Sequence, residues 1–270
     1  MWCEKCNHET NNSICELCNE KTQPVVPTDI YWCGQCKVPI IKYRNEASKE
    51  ICPLCGGNTK YMVADLRPVF PEERLLLEIL LDKPLAFIKS SVWANNNRYY
   101  IDGESMMVTS KHYKKYSADY IREKLDEYTD KNSYDSFDKY IYLFVEANRN
   151  RLNEIISEAH EFIRSESDKY PITSIVISIS FSGGKDSTVT ADLTVKALSD
   201  PSIVHIFGNT TLEFPSTIEY AERFRKNNPK AIFRIALNRE QDFMKVCEDI
   251  GPPARMMRWC CSMFKTGPIT

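Results

Sequence analysis

The chain of 270 residues has no apolar run of about 18 residues, the length a membrane-spanning helix needs. It also lacks the charged-then-apolar start of a secretory signal. Neither sign of charge is in excess: 35 Lys and Arg against 37 Asp and Glu leave a formal net charge of −2. Bulk charge therefore predicts neither a nucleic-acid nor a membrane partner. These absences make a soluble, cytoplasmic protein the expectation. Hydrophobic residues are 43% of the chain, enough for a packed core, and the length fits two or three domains.

What the chain does have is cysteine, 11 in all. Eight of them form CxxC pairs near the N-terminus: Cys3/Cys6, Cys15/Cys18, Cys33/Cys36 and Cys52/Cys55. A CxxC turn aims two thiolates at one tetrahedral metal, and two such pairs complete a Cys₄ zinc site. The pattern predicts two zinc sites, with sequential pairing first and a cross-braced arrangement as the alternative. Iron in a rubredoxin-like site is a further alternative. His8, two residues past Cys6, reads either as a substitute ligand or as a solvated surface histidine. A disulfide scaffold is disfavoured by the missing secretion signal. So small a segment has little core, so metal binding should supply its folding energy. Residues 1–62 are thus expected to be a zinc-ribbon module, with the linker Pro24–Thr28 between its halves.

The other informative stretch is Ser182-Gly183-Gly184-Lys185-Asp186-Ser187. It follows the strand-like run 175–181 and precedes a helical pattern from Thr188 to Leu198. A glycine-rich turn between strand and helix lets backbone N–H groups cradle phosphates, aided by the helix dipole. The Walker A spacing is absent. The motif instead resembles the SGGxDS loop of the PP-loop ATP pyrophosphatase superfamily. Two later segments narrow the likeness. Gly208-Asn209-Thr210-Thr211-Leu212-Glu213-Phe214-Pro215 is similar to the "TGxxFPET" turn of the phosphoadenosine-phosphosulfate reductase family. Arg255 to Pro268, containing Arg258, Cys260, Cys261 and Lys265, resembles that family's "R-x-C-C-x-x-x-K-x-x-P" element.

The resemblance implies an α/β fold with a doubly wound parallel sheet, built from strands at 175–181, 203–207 and 231–236. Helices are expected at 188–198, 216–227 and 240–249. Ligands bind at the carboxyl ends of such strands. The nucleotide would meet Ser180, Phe181, Ser182, Gly183, Gly184, Lys185, Asp186 and Ser187, with Gly208, Asn209, Thr210 and Glu213 on the next loop. Arg255, Arg258 and Lys265 read as an anion clamp or as surface ion-pairing residues. Lys185 and Asp186 are the catalytic candidates on the loop, with Mg²⁺ beside ATP. Asp186 reads equally as a metal contact or as a partner of the helix dipole. Cys260 and Cys261 imply either a sulfur-carrying nucleophile or part of a [4Fe–4S] cluster. No CxxC follows them, so a cluster is expected only in a longer or complemented form, with Cys247 as a third-ligand candidate or a core residue. With three strands, the domain is expected to be incomplete or completed by a partner chain.

Between these regions, residues 63–130 read as a small α+β domain, weakly PUA-like. It should contain a helix at 71–81, strands at 85–91, 98–101 and 105–108, a turn at Asp102-Gly103, and a helix at 118–128 capped by Ser117. The basic, aromatic run 111–116 reads as a nucleic-acid contact (tRNA or DNA) or, favoured, as a solvated face. Residues 131–270 form the expected PP-loop domain, opening with a helical stretch over 134–167. Three functions follow: an ATP-dependent adenylating enzyme for sulfur transfer, a sulfonucleotide reductase, or a zinc-ribbon nucleic-acid-binding protein with a regulatory nucleotide site.

Overall fold

The computed structural model describes residues 1–23, 26–170 and 177–269. Pro24 and Val25 of the expected linker, and Ile175 and Val176 of the expected strand, lie outside the described residues. The chain divides into two compact units, Met1–Leu152 and Asn153–Thr270. No described helix is long and apolar enough to cross a membrane.

The first unit opens with two short strands, β1 (Trp2–Cys3) and β2 (His8–Glu9). They are followed by an antiparallel sheet of β3 (Thr28–Cys33), β4 (Val38–Tyr43) and β5 (Thr59–Val63), with β3 in the middle. Val38 and Ile40 are fully buried and share a cluster with Cys33 and Cys52. A second antiparallel sheet runs in the order β6 (Arg67–Pro68), β7 (Val92–Asn95), β8 (Arg98–Ile101), β9 (Glu104–Met107). Helix α1 (Pro71–Leu80) intervenes after β6, and α2 (Ser110–Tyr113), α3 (Ala118–Thr129) and α4 (Asp135–Ala147) follow β9. The Ser117 hydroxyl accepts the Tyr120 N–H at 3.2 Å, the expected N-cap.

Three expectations need correction here. Residues 85–91 do not form a strand; the strand is β7, at 92–95. The buried Glu78 carboxylate accepts the N–H groups of Leu85 and Phe87, both at 2.8 Å, and Leu85 has φ +62°. A segment whose N–H groups are tied to a helix side chain cannot pair in a ladder. The helical stretch over 134–167 is two helices, α4 and α5 (Arg149–Ser167), broken at Asn148. Asn148 Oδ1 accepts the Ile41 N–H at 2.7 Å and its Nδ2 donates to Pro39 O at 3.0 Å. That amide fastens the end of α4 to β4, and Tyr140 and Ala147 of α4 join the Cys33 and Cys52 core. The first unit therefore extends past residue 130, where a boundary was expected, to Leu152.

Asp102-Gly103 turns β8 into β9 with φ +48° and +91°. The two positive values are those of a type I′ hairpin turn. A Cβ on Gly103 would lie 2.3 Å from the Trp32 indole nitrogen. Gly103→Ala is expected to destabilise the first unit by about 2 kcal/mol or more, since the backbone strain alone costs about 1–3 kcal/mol. Urea denaturation followed by tryptophan fluorescence measures it; an unchanged midpoint would show that Trp32 moves aside freely.

The second unit takes most of α5 and the parallel sheet. Its order is β10 (Ser178–Phe181), α6 (Lys185–Leu198), β11 (Val204–Asn209), α7 (Pro215–Asn227), β12 (Ile232–Leu237) and α8 (Phe243–Ile250). A last short helix, α9 (Trp259–Cys261), continues into a wide turn over Ser262–Thr266. The three strands are parallel, in the order β10-β11-β12. This is the expected parallel α/β sheet; its described strands wind in one direction only. The core is aromatic: Phe181 is 4.3 Å from Phe224 and also meets His205, Tyr220 and Phe233. His205 is buried, with Nδ1 2.8 Å from Ile203 O.

Candidate functional site

Two of the three motifs of the second unit follow the carboxyl ends of strands, and the third follows α8. The first loop leaves β10 after Phe181, whose side chain is 1% exposed and belongs to the core. Phe181 thus contributes to the site only through its backbone. Ser180, one residue earlier, is exposed on the sheet. Gly183 has φ +73°, and a Cβ there would stand 3.1 Å from Thr217 Cγ2 on α7. Both the dihedral and the packing demand glycine at this position.

Helix α6 starts at Lys185, three residues before the expected start at Thr188. Lys185, Asp186 and Ser187 therefore form the first helical turn, whose N–H groups have no intrahelical acceptor. No backbone acceptor among the described residues meets them. The loop holds its own shape. Ser187 Oγ accepts the Ser182 N–H at 3.2 Å and donates to Gly184 O at 3.0 Å. The Thr188 hydroxyl donates to Gly184 O and lies 3.0 Å from the Tyr220 hydroxyl on α7. Gly184 has an ordinary extended φ of −83°, and a Cβ there would meet only Ser182 Oγ, at 3.4 Å. Internal packing gives no reason for glycine at 184; approach of an anion to the backbone does. Lys185 and Asp186 are exposed and paired to each other at 2.6 Å.

The second loop follows β11. A Cβ on Gly208 would meet nothing within 4 Å, which leaves open space beside the strand end. Glu213 is turned inward: its carboxylate accepts the Thr210 N–H at 2.9 Å and the Thr210 hydroxyl at 2.8 Å. Asn209 Oδ1 accepts the Thr211 N–H at 2.9 Å. Glu213 and Asn209 thus shape the turn, a role that competes with direct ligand contact. Thr211 Oγ1 accepts the Phe243 N–H of α8 at 2.9 Å, and Phe243 packs on Trp259 and Phe264. This joins the second loop to the Cys-Cys segment. Asn238, just past β12, donates to Met263 O at 3.3 Å.

Cys260 and Cys261 are half-buried on α9, and an Arg258 Nη lies 3.8 Å from Cys261 Sγ. Cys247, on α8, does not form a three-ligand cluster with them. Arg255, Arg258 and Lys265 are all exposed on this segment. Sequence reasoning missed Thr188, Thr217 and Tyr220, which brace the first loop from α6 and α7. Helical spacing carries no signal for such contacts between elements.

In the first unit the eight N-terminal cysteines are free thiols gathered into two clusters. Cys33, Cys36, Cys52 and Cys55 place their sulfurs within 4.8 Å of one another. Cys33 and Cys55 are 3.6 Å apart, Cys36 and Cys52 3.9 Å, and Cys3 and Cys18 3.5 Å. A disulfide needs about 2.05 Å. Four sulfurs on a zinc at about 2.3 Å stand about 3.8 Å apart, so the thiols fit a tetrahedral metal with sequential pairing. Hydrogen bonding to Cys18 and burial push Cys6 up to about 12. Burial also raises Cys15, but the N–H of Leu17 and the neighbouring thiols outweigh it and bring Cys15 down to about 6. In the second cluster the N–H of Gly57 holds Cys55 down at about 7, while burial and its thiol neighbours drive Cys36 up.

The basic, aromatic run is partly spoken for by the fold. Lys115 and Tyr116 both bind the Asp82 carboxylate, and His112 completes a capping box with Thr109. Tyr116 stacks on Tyr120 at 4.6 Å.

Comparison with known proteins agrees with this geometry. Residues 176–270 match the sequence profile of the phosphoadenosine phosphosulfate reductase domain. The chain is 32% identical over 144 residues to the uncharacterized protein MJ0066 of Methanocaldococcus jannaschii, covering 53% of this chain and 28% of that protein. It is 29% identical over 126 residues to MJ0973 of the same organism, covering 47% and 29%. The chain therefore spans under a third of the length of either relative.

Proposed function

Residues 176–270 are a phosphoadenosine phosphosulfate reductase domain of the PP-loop superfamily, and from that premise we propose an enzyme that binds ATP and adenylates a substrate for sulfur transfer. The observation that carries the reading is the first turn of α6. Among the described residues, three backbone N–H groups, at Lys185, Asp186 and Ser187, have no acceptor, beside a glycine that packing does not require. Such a turn is built for the phosphates of a nucleotide. In the reaction a substrate oxygen attacks the α-phosphorus, the bond to the bridging oxygen breaks, and pyrophosphate leaves. Lys185 would release Asp186 and meet the departing phosphates. Mg²⁺, when bound with ATP, would neutralise charge on the phosphate oxygens. The open space at Gly208 suits the nucleoside end, and Arg255, Arg258 and Lys265 suit an anionic group of the substrate. Cys260 and Cys261 are the candidates for carrying sulfur. The zinc ribbons are candidate contacts for a nucleic-acid acceptor; the Asp82 pairing of Lys115 and Tyr116 weighs against residues 111–116 in that role.

The profile's description favours one second reading, reduction of a sulfonucleotide. Pyrophosphate release from ATP supports the first reading, and thiol-dependent sulfite formation supports the second.

Calorimetric titration of the chain with ATP and Mg²⁺ tests the site. Lys185→Ala should weaken binding by about 1.5–3 kcal/mol, the value of a charge-assisted hydrogen bond, or roughly 10- to 150-fold. Gly184→Val should abolish binding while leaving the fold intact, because its Cβ would meet only Ser182 Oγ, in ordinary contact at 3.4 Å. Unchanged affinity in both variants would overturn the assignment.

A further inference from the structure

The two cysteine clusters are not equivalent, and the difference lies at one position. The turn Cys3-Glu4-Lys5-Cys6-Asn7-His8 repeats in Cys33-Gly34-Gln35-Cys36-Lys37-Val38. In each, the second cysteine's N–H donates to the first cysteine's sulfur, at 3.5 Å and 3.4 Å. In each, the next residue takes a left-handed φ, +51° at Asn7 and +55° at Lys37. The residue after that returns on a strand directly opposite the first cysteine: His8 faces Cys3, and Val38 faces Cys33. Directly opposed residues on antiparallel strands project to the same face. The repeat thus brings both side chains beside their metal clusters. Val38 is fully buried hydrocarbon in the core. His8 carries two nitrogens.

The His8 nitrogen is not satisfied by anything else. Its Nδ1 is buried and has no hydrogen-bond partner among the described residues. A buried, unpaired imidazole nitrogen costs free energy unless a donor, acceptor or metal meets it. A ring nitrogen of His8 and the sulfurs of Cys3, Cys6 and Cys15 all lie within 4.8 Å of one another, as the ligands of one ion must. Cys18 lies outside that mutual group but 3.5 Å from Cys3, and is the fifth donor. Of the five, Cys3 and Cys15 are fully buried, whereas Cys6 and Cys18 are half-buried.

We propose that the first site is a five-donor metal site, in which His8 takes the coordination position of Cys18 whenever that thiolate is lost. The second site has no such reserve, because valine stands where the first has histidine. Zinc accepts Cys₄ and Cys₃His sets alike. The exchange would therefore leave the metal four-coordinate and the ribbon folded. The first site would tolerate alkylation or replacement of Cys18, and the second would not tolerate loss of any of its thiols.

Cobalt(II) substitution of the full chain reads both the number of sites and the number of thiolates on each. The wild type and His8→Ala should each take up two equivalents. Cys18→Ala should also take up two, with weaker sulfur-to-cobalt charge transfer and ligand-field bands moved to higher energy, as one thiolate gives way to imidazole. Cys18→Ala/His8→Ala should fall to one equivalent, and so should Cys55→Ala, whose partner site supplies the internal measure that the chain still binds metal. A single equivalent in Cys18→Ala would overturn the proposal, because His8 then fails to replace the thiolate. So would a Cys18→Ala spectrum that adding His8→Ala leaves unchanged.

Discussion

Removing metal from this chain should unfold the ribbon sheet and loosen α4 with it. Structural zinc contributes about 10–16 kcal/mol of apparent binding free energy at neutral pH in small zinc modules, comparable to the whole stability of a typical domain, about 5–15 kcal/mol. The segment around the second site has little else to hold it. Its buried cluster is Cys33, Val38, Ile40 and Cys52, completed by Tyr140 and Ala147 of α4. Two of the residues in that core are therefore candidate metal ligands. Without the ion, four thiols that share one small space must each find a hydrogen-bond partner or water. The Asn148 clamp on β4 loses its anchor at the same time. Elemental analysis should find about two zinc ions per chain. Treatment with a strong chelator should abolish the near-ultraviolet signal of the first unit and expose it to proteolysis. Cys33→Ala should have the same effect on the second site without chelator, because that sulfur is fully buried. Metal well below one equivalent, or disulfides among the eight cysteines, would sink the assignment.

The features that were legible in the sequence were those whose chemistry is local. CxxC spacing announces a metal turn because its ligands come from one short segment. The Ser182–Ser187 loop reads as a candidate anion site because strand, glycines and helix are contiguous. The start of α6 was misplaced by three residues because Lys185, Asp186 and Ser187 are polar and read as loop. They form the helical turn that is proposed to face the nucleotide. Contacts between distant segments left no such trace. Asn148 reads as one more polar residue in a helical run, yet its amide ends α4 by bonding to β4. Glu213 reads as a ligand candidate, yet the turn it sits in uses its carboxylate. His8 was ambiguous until register placed it opposite Cys3.

Arg74 and Glu78 were the least legible of all, and replacing Glu78 should have the second large effect. By spacing they are an ordinary i, i+4 pair on an amphipathic helix, the kind that sits in water and adds a few tenths of a kcal/mol. In the structure they are 2% and 0% exposed. Arg74 Nε lies 3.7 Å from Glu78 Oε1, and the guanidinium also donates to Asn132 Oδ1 at 2.5 Å and Ser133 O at 3.1 Å. Burial pushes the Glu78 carboxyl up, against the opposing pull of the Phe87 and Leu85 N–H groups and of Arg74. The pair thus ties α1 to two loops, one through each partner. Glu78→Gln keeps the shape but offers one acceptor oxygen to two N–H donors and leaves Arg74 without its counter-charge. Removing one partner of a buried pair costs about 3–5 kcal/mol. For a unit of this size that lowers the melting temperature by roughly 6–20 °C. Differential scanning calorimetry of the zinc-loaded chain measures it. The apolar double variant Arg74→Met/Glu78→Leu separates two causes. Were charge compensation the whole role, it should recover wild-type stability, as apolar replacements of buried pairs often do. It is expected to stay destabilised, because the Leu85 and Phe87 N–H groups still lose their acceptor, at about 1–3 kcal/mol each. Full recovery in the double variant would show that Glu78 balances a charge and does not fold the 82–91 loop.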